Sequence, residues 1–354
     1  MSASYRPVQW NRTKWLYDGV LLAAIVLFIL AFLRIAPAFT DPARLVETQI
    51  LRIRAFGSCA FLMLTLILCI GPLARLDRRF LPLLYNRRHF GVLTALVAST
   101  HASFVLDWYF AFSPLQPYVG LLSANTSYRQ ILGFPFEVFG IFALLVLVVL
   151  AVTSHDFWLA FLTPPVWKAM HMSIYVAYLA VIAHVAFGYL QDASHPAFAG
   201  LTAGSAALVS ALHVLAGRQQ ARFDADAVPP ASAGDGFVRA CTLADLAEGH
   251  GHIVSLAGRE RVAILRYDGK LSAVSNVCAH QNGPLGEGRI IDGCVTCPWH
   301  GFQYRAEDGC APAPFTEKIA TYRLRLDGDV VMLDPAANAP GTRVEPIALP
   351  TVTS

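Results

Sequence analysis

Two short segments near the C-terminal end of this 354-residue chain each set one cysteine beside one histidine. The first reads Cys278-Ala279-His280 and the second Cys297-Pro298-Trp299-His300, with sixteen residues between them. Thiolates are soft, charged ligands and neutral imidazoles carry no charge. The mixed set therefore suits a [2Fe-2S] cluster in which both cysteines hold one iron and both histidines the other. Exchanging two thiolates for imidazoles removes negative charge and raises the potential, so the implied chemistry is one-electron transfer. Zinc is the competing metal, but a Cys2His2 zinc site more often pairs Cys with Cys and His with His, whereas each half here is mixed.

Such a set works only if two tight loops reach the same end of a small β fold. Short alternating segments, Arg261–Tyr267 and Val330–Leu333, surround it, with Asp268-Gly269 and Asp327-Gly328 as expected hairpin turns. Upstream, residues 218–236 are rich in Gly, Ala, Asp and Pro, including Pro229-Pro230 and Gly234-Asp235-Gly236, and read as a linker. The expected division is a membrane domain over 1–217, the linker over 218–236, the β domain over 237–340 and a tail over 341–354.

The segments Cys278-Ala-His-Gln-Asn-Gly-Pro-Leu285, Cys297-Pro-Trp-His-Gly-Phe-Gln-Tyr304, Asp308-Gly309 and Ala311-Pro-Ala-Pro314 carry a resemblance. Residues 237 to about 334 resemble the Rieske ferredoxin family. The resemblance implies cluster ligation by Cys278, His280, Cys297 and His300, with residues 311–314 as the proline loop covering the cluster. It also locates a departure. Respiratory-complex members carry an extra cysteine in each loop, joined as a disulfide, where this chain has Gly283 and Trp299. A cluster of the lower-potential ferredoxin type is expected, and Cys294 and Cys310 read as structural thiols.

Mean hydropathy of +0.50, with 55% hydrophobic and 14% charged residues, is too apolar for a wholly soluble chain. Apolar stretches near 16–36, 55–74, 90–112, 133–153, 166–190 and 199–217 are long enough to cross about 30 Å of hydrocarbon. The expected fold is thus a six-helix transmembrane bundle followed by a small all-β Rieske [2Fe-2S] domain. Ala36-Pro37-Ala38 could imitate a leader cleavage site, but the apolar run before it is too long for one. Basic residues collect before span 1 (Arg6, Arg12, Lys14), between spans 2 and 3 (Arg75, Arg78, Arg79, Arg87, Arg88) and after span 6 (Arg218, Arg222). By the positive-inside rule both termini are cytoplasmic, in a bacterial-type inner membrane, although Arg44, Arg52 and Arg54 blur the first opposite loop. Absence of the loop disulfide agrees with a reducing compartment.

The first 220 residues carry 15 basic and 8 acidic side chains, the rest 12 and 16, a net −4. That acidity serves solubility or meets a basic redox partner. Nothing in the pattern suggests nucleic-acid binding.

Ionisable residues inside a membrane are costly and mark functional sites. His89 and His101 lie at the start of and within span 3, and His171 and His184 within span 5, which crosses in the same direction. Their separations, twelve and thirteen residues, correspond to about 18–20 Å along a helix. Two stacked haems could fit, with His101 facing His184 and His89 facing His171. Twelve or thirteen residues do not return to one helical face, so this pairing needs tilt or local irregularity. The alternative is a packing histidine bonded to a backbone carbonyl, and at His89 a plain interfacial residue.

Gly71-Pro-Leu-Ala-Arg75, Arg87-Arg-His-Phe-Gly91 continuing to His101, and Trp167-Lys-Ala-Met-His171 continuing to His184 carry the second resemblance. Residues 15–217 resemble the ferric-reductase-like transmembrane family. It implies b-type haem, one or two, with His101, His171 and His184 at the family's ligand positions. His89 stands where the sulfoxide-reductase branch is usually apolar. His155, His195 and His213 read as non-ligands, Asp107 and Glu137 as interfacial residues that Arg34 could pair with, and Trp108 and Tyr109 as an aromatic belt.

No Gly-x-Gly-x-x-Gly follows a strand, and fewer than sixty residues follow His300. A flavin or nicotinamide domain, and an oxygenase domain, are therefore not expected. The expected function is membrane electron transfer between a cytoplasmic donor (a flavin reductase or ferredoxin-like protein), the cluster, haem, and an acceptor at the outer face or a quinone. The alternative is a membrane-anchored redox sensor without haem, from which haem content distinguishes it.

Overall fold

The computed structural model describes residues 12–39, 47–84, 86–111, 114–123, 125–154, 158, 161–162, 164–192, 196–225, 236–257, 260–280, 282–299, 301–313 and 315–349. It divides into a helical unit, Trp10–Arg75 with Asn86–Val214, and a second unit, chiefly Leu215–Ser354 with Leu76–Tyr85.

Seven main helices follow the apolar stretches: α1 Arg12–Ile35, α2 Thr48–Leu76, α3 Arg87–Ala111, α4 Glu137–Val152, α5 Pro164–His171, α6 Ile174–Phe187 and α7 Pro196–Ala225. Five segments have the length and hydropathy of membrane spans. α5 and α6 fall in one of them, Val166–Gln191, and α4 is a shorter apolar helix. The expected spans 1 to 6 are thus all helical. Leu16, Val20, Leu27 and Leu30 of α1 are exposed, an outward apolar surface that suits lipid rather than water. Inward, Phe61, Leu64 and Leu68 of α2 pack with Ala95, Leu147, Tyr178 and Val209. Within this core the Tyr178 and Thr65 hydroxyls hydrogen-bond each other at 3.1 Å.

The fifth span is interrupted. Met172 N–H is shared between Lys168 O and Ala169 O, Ser173 N–H bonds Met170 O, and Tyr175 N–H bonds Met172 O. These three-residue steps tighten the turn and shift the phase of side chains on either side, so His171 and His184 do not lie on one regular helix.

α7 continues through Ala225, which makes residues 218–225 of the expected linker helical. Arg218-Gln-Gln-Ala-Arg222 contains good helix formers and no Pro or Gly to stop it. The rest of that linker, up to 235, lies outside the described residues.

Among its described residues the second unit holds eleven strands: β1 Val238–Thr242, β2 His250–Ser255, β3 Arg261–Tyr267, β4 Lys270–Ser275, β5 Arg289–Ile291, β6 Cys294–Thr296, β7 Gln303–Arg305, β8 Thr321–Tyr322, β9 Leu324–Asp327, β10 Val330–Leu333 and β11 Ile347–Ala348. One sheet runs β1-β10-β9 and the larger β11-β4-β3-β2-β5-β6-β7, with β8 also on β4. Central β3 faces two cores. Ala263, Leu265 and Tyr267 join Val274, Leu285, Val295, Phe302 and Tyr304, while Val262 and Ile264 join Leu271, Tyr322, Val331 and Leu333, as the period-two alternation of a strand requires.

The hairpin turns largely match expectation. Asp268 and Gly269 both take positive φ between paired Tyr267 and Lys270, and Asp292-Gly293 repeats the device between β5 and β6. The β9–β10 turn sits one residue later than expected, on Gly328-Asp329, because Asp327 pairs with Val330. The expected tail also needs correction, since its described part, through residue 349, is bonded into the fold. Thr321 Oγ1 donates to Thr342 O, Val344 N–H to Glu307 O and Leu349 N–H to Gly269 O, and β11 pairs with β4. A strand as short as β11 has too little pattern to be read from sequence.

Candidate metal centres

Cys278 leaves the end of β4, and Cys297 opens the loop joining β6 to β7. The two loops are built alike. Cys278 N–H bonds Gly283 O at 2.9 Å and Asn282 N–H returns to Cys278 O at 2.7 Å. Likewise Cys297 N–H bonds Phe302 O at 2.7 Å and Gly301 N–H returns to Cys297 O at 2.9 Å. The fifth residue of each, Asn282 or Gly301, takes positive φ, where Gly and Asn are favoured. Each loop is thus a closed hydrogen-bonded unit that aims its first residue.

The loops also touch each other. A Cβ on Gly283 would lie 2.5 Å from Cys297 Sγ, so only glycine lets the first loop close over the second cysteine. The His280 ring stacks parallel on Phe302 of the other loop, centroids 5.0 Å apart at 8°. Cys278 and Cys297 are 1% and 2% exposed. Two buried thiols and an imidazole carried on touching loops are the donor types that a cluster with mixed sulfur and nitrogen ligands needs. His300 lies outside the described residues, as do Gln281 and Pro314.

Tyr304 of β7 is a partner that motif spacing did not single out. Fully buried, it brings its hydroxyl within 3.5 Å of Cys278 Sγ. Burial, and then the adjacent Cys278 sulfur, push its pKa well above the ordinary tyrosine value, so the hydroxyl stays protonated and can donate to a thiolate. Only its place in the Gln303–Arg305 strand, pointing inward, could have signalled it. Burial likewise raises the Cys294 thiol, which suits a structural role.

In the helical unit, His101 of α3 and His184 of α6 come together, ring centroids 6.3 Å apart and nearly perpendicular at 83°. Neither is aimed by its own helix. His101 Nδ1–H donates to Ile53 O of α2 at 2.9 Å, and His184 Nδ1–H to Phe136 O, just before α4, at 3.0 Å. A carbonyl can only accept, so each Nδ1 carries the proton and each Nε2 keeps the lone pair a metal needs. Cβ atoms on Gly57 and Gly140 would meet these rings at 3.0 and 2.8 Å; the two glycines make the room, another feature motif spacing missed.

Two imidazoles on opposite sides of one metal, at bonds of about 2.0 Å, have centroids a little over 6 Å apart. The His101–His184 separation fits a bis-histidine haem.

His171 is fixed in the same tautomer by Trp167 O at 3.0 Å, with the Trp167 ring stacked on it at 3.7 Å. Its Nε2 is buried without a hydrogen-bond partner among the described residues. His89 instead engages α1: its Nδ1 lies 2.7 Å from Asp18 Oδ2, and Asn86 Nδ2 bridges the two residues. His213 has both nitrogens occupied, by Val209 O and the Tyr175 hydroxyl, the pattern of a packing histidine. His155 and His195 lie outside the described residues, and Arg34 is exposed.

Two family models match the chain. The one described as ferric reductase like transmembrane component covers residues 56–182, and the one described as Rieske [2Fe-2S] domain covers residues 236–323. The anthranilate 1,2-dioxygenase ferredoxin subunit of Burkholderia cepacia is 36% identical over 77 residues, 21% of this chain and 71% of that protein. The oxygenase component of a probable 3-ketosteroid-9-alpha-monooxygenase from Rhodococcus rhodochrous is 31% identical over 75 residues, and the match spans only 19% of that protein. Among solved structures, a ferredoxin of Sphingomonas yanoikuyae B1 shares 27% identity with a TM-score of 0.27, over 28% of this chain and 99% of that one.

Proposed function

This chain belongs to the Rieske [2Fe-2S] family through its C-terminal region and carries a ferric-reductase-like transmembrane component before it; from that premise we propose that it passes single electrons between a cytoplasmic donor, a cluster held by Cys278, His280, Cys297 and His300, and b-type haem held by His101 and His184. It is a multi-pass membrane redox protein. The observation that carries the haem part is the 6.3 Å approach of two imidazoles whose Nδ1 protons are committed to carbonyls.

Bound in these places, the two groups supply reversible one-electron chemistry. The chain's own residues do the rest. The paired loops keep both thiols and His280 buried, which limits solvent reorganisation. Tyr304 donates toward Cys278 and withdraws charge from it. Ile53 and Phe136 carbonyls orient the membrane imidazoles, and Gly57 and Gly140 leave space beside them.

His171, with its buried Nε2, is the proposed ligand of a second haem, and His89, oriented by Asp18, its proposed partner. The basic residues between Arg75 and Arg88 support cytoplasmic termini in a bacterial-type inner membrane. The kinship with ferredoxin components supports a protein donor, such as a flavin reductase or ferredoxin-like protein, with the acceptor at the outer face or a quinone.

Optical and EPR redox titration of the purified full-length protein tests this reading. A reduced-state Rieske-type signal and reduced-minus-oxidised b-haem bands are the expected result. Stoichiometric zinc without acid-labile sulfide would end the cluster assignment, and absence of b-haem bands would end the haem assignment.

A further inference from the structure

A carboxylate sits in the turn that cradles His184, with no role in the relay proposed above. Glu137 opens α4. One of its oxygens accepts the Tyr109 hydroxyl of α3 at 3.1 Å. The other is buried and has no hydrogen-bond partner among the described residues, and among those residues no Lys or Arg forms an ion pair with Glu137. The interfacial solvation expected of it is therefore not what the fold provides.

Its placement is specific. The preceding residue, Phe136, supplies the carbonyl that takes His184 Nδ1–H and packs its ring 5.2 Å from the imidazole. Three residues on, Gly140 closes against the same ring. Glu137 thus belongs to the turn of α4 that cradles His184, while Tyr109 extends from the helix that carries His101.

A carboxylate oxygen kept from water and from a cation is unfavourable unless positive charge lies nearby. A ferric iron in a dianionic porphyrin leaves one positive charge at the centre, and one electron removes it. A fixed negative charge beside that centre favours the oxidised form and lowers its midpoint potential. We propose that Glu137 is the charge partner of the His101–His184 haem centre and holds that centre at low potential, with Tyr109 positioning the carboxylate. This rests on the haem reading above.

The test is a redox titration of full-length protein, wild type against Glu137→Gln, Glu137→Asp and Tyr109→Phe, with haem-to-protein ratio measured for each. Glu137→Gln keeps the shape and an acceptor for Tyr109 but loses the charge. It is expected to retain haem and the bis-histidine spectrum while the midpoint moves positive. Glu137→Asp keeps the charge and stays close to wild type, and Tyr109→Phe keeps the charge but loses the bond that aims it, so its midpoint moves by less than that of Glu137→Gln. An unchanged midpoint in haem-replete Glu137→Gln, or an equal shift in Tyr109→Phe, overturns the proposal.

Should Glu137→Gln lose its haem, Glu137→Asp decides. Retained haem at a near wild-type potential supports the charge, and loss there too assigns Glu137 a purely structural part and overturns the inference. Wild-type protein without b-haem bands is a separate outcome that removes the haem reading itself.

Discussion

In the β unit every ligand candidate falls between positions 278 and 300, on two loops whose backbone bonds close within six residues of each cysteine. In the helical unit the facing histidines are at positions 101 and 184, and each is oriented by a carbonyl from another part of the chain, Ile53 or Phe136. The first centre is shaped locally, and packing of the β cores only has to bring two preformed loops together. The second candidate centre needs several packed helices, because neither His101 nor His184 is aimed by a group of its own helix. Disturbing a loop should therefore damage one centre cleanly, whereas disturbing helix packing should act on the other by degrees.

The largest expected effect tests whether the two centres are separable. Cys278→Ser or Cys297→Ser should abolish the Rieske-type EPR signal and leave the b-haem bands intact. His101→Ala and His184→Ala should each remove the same haem component and spare the EPR signal, while His171→Ala affects a different component. A cysteine variant that lost both signals would show that the centres are not assembled independently.

Next come the glycines that make room for the candidate ligands. Gly283→Ala puts a methyl group 3.2 Å from the Trp299 ring and 2.5 Å from Cys297 Sγ, the latter closer than real Cβ contacts come, so iron and acid-labile sulfide per chain should fall steeply. Gly140→Ala, at 2.8 Å from the His184 ring, should lower haem occupancy more than Gly57→Ala at 3.0 Å from His101. Equal haem content in all three proteins would contradict the tight packing around these rings.

A smaller effect is expected at Tyr304. Phenylalanine there removes the hydroxyl beside Cys278 without changing the packing of the ring. The cluster should form, its midpoint should move negative because the thiolate loses a donor, and stability should fall by about 0.5–1.5 kcal/mol, the usual net worth of such a bond. EPR-monitored titration and a denaturation curve read both quantities.

The smallest effect lies at the surface of the β unit. Asp308 accepts the Arg305 guanidinium and the Cys310 N–H. Burial alone would raise its pKa, but these bonds outweigh burial and hold it below the ordinary value of 3.8. A depressed folded-state pKa gives stability that is full above the ordinary value and is lost as pH falls through the lowered one. Asp308→Asn should therefore lower the melting temperature at neutral pH, and the gap from wild type should narrow below pH 3.8. Cluster circular dichroism during melting would measure it, and a gap independent of pH would contradict the sign.

Much of this was legible in the chain before folding. Cys-x-His and Cys-x-x-His are local, and the Asn282 and Gly301 turns that aim them lie in the same few residues. Hydropathy located the spans, since length and apolarity suffice for that, and the Asp-Gly pairs marked hairpins. The Tyr304 hydroxyl and the bonding of residues 341–349 into the β unit were not legible, because each depends on a distant partner. The continuation of α7 to Ala225 was legible in its helix formers and missing stop signal, but the Gly, Ala, Asp and Pro content of the whole segment outweighed them.

The sequence by itself determined which residues could carry the chemistry and the order of the two regions, because a cysteine–histidine loop and an apolar span are defined by neighbours along the chain. Tertiary structure alone decided that His101 meets His184, that the Nε2 of both rings is left unprotonated, and that Glu137 opens the turn that cradles His184. Hydropathy sets a helix's length but not its rotation about its axis, and a histidine's tautomer is set by whichever carbonyl packing brings to its other nitrogen.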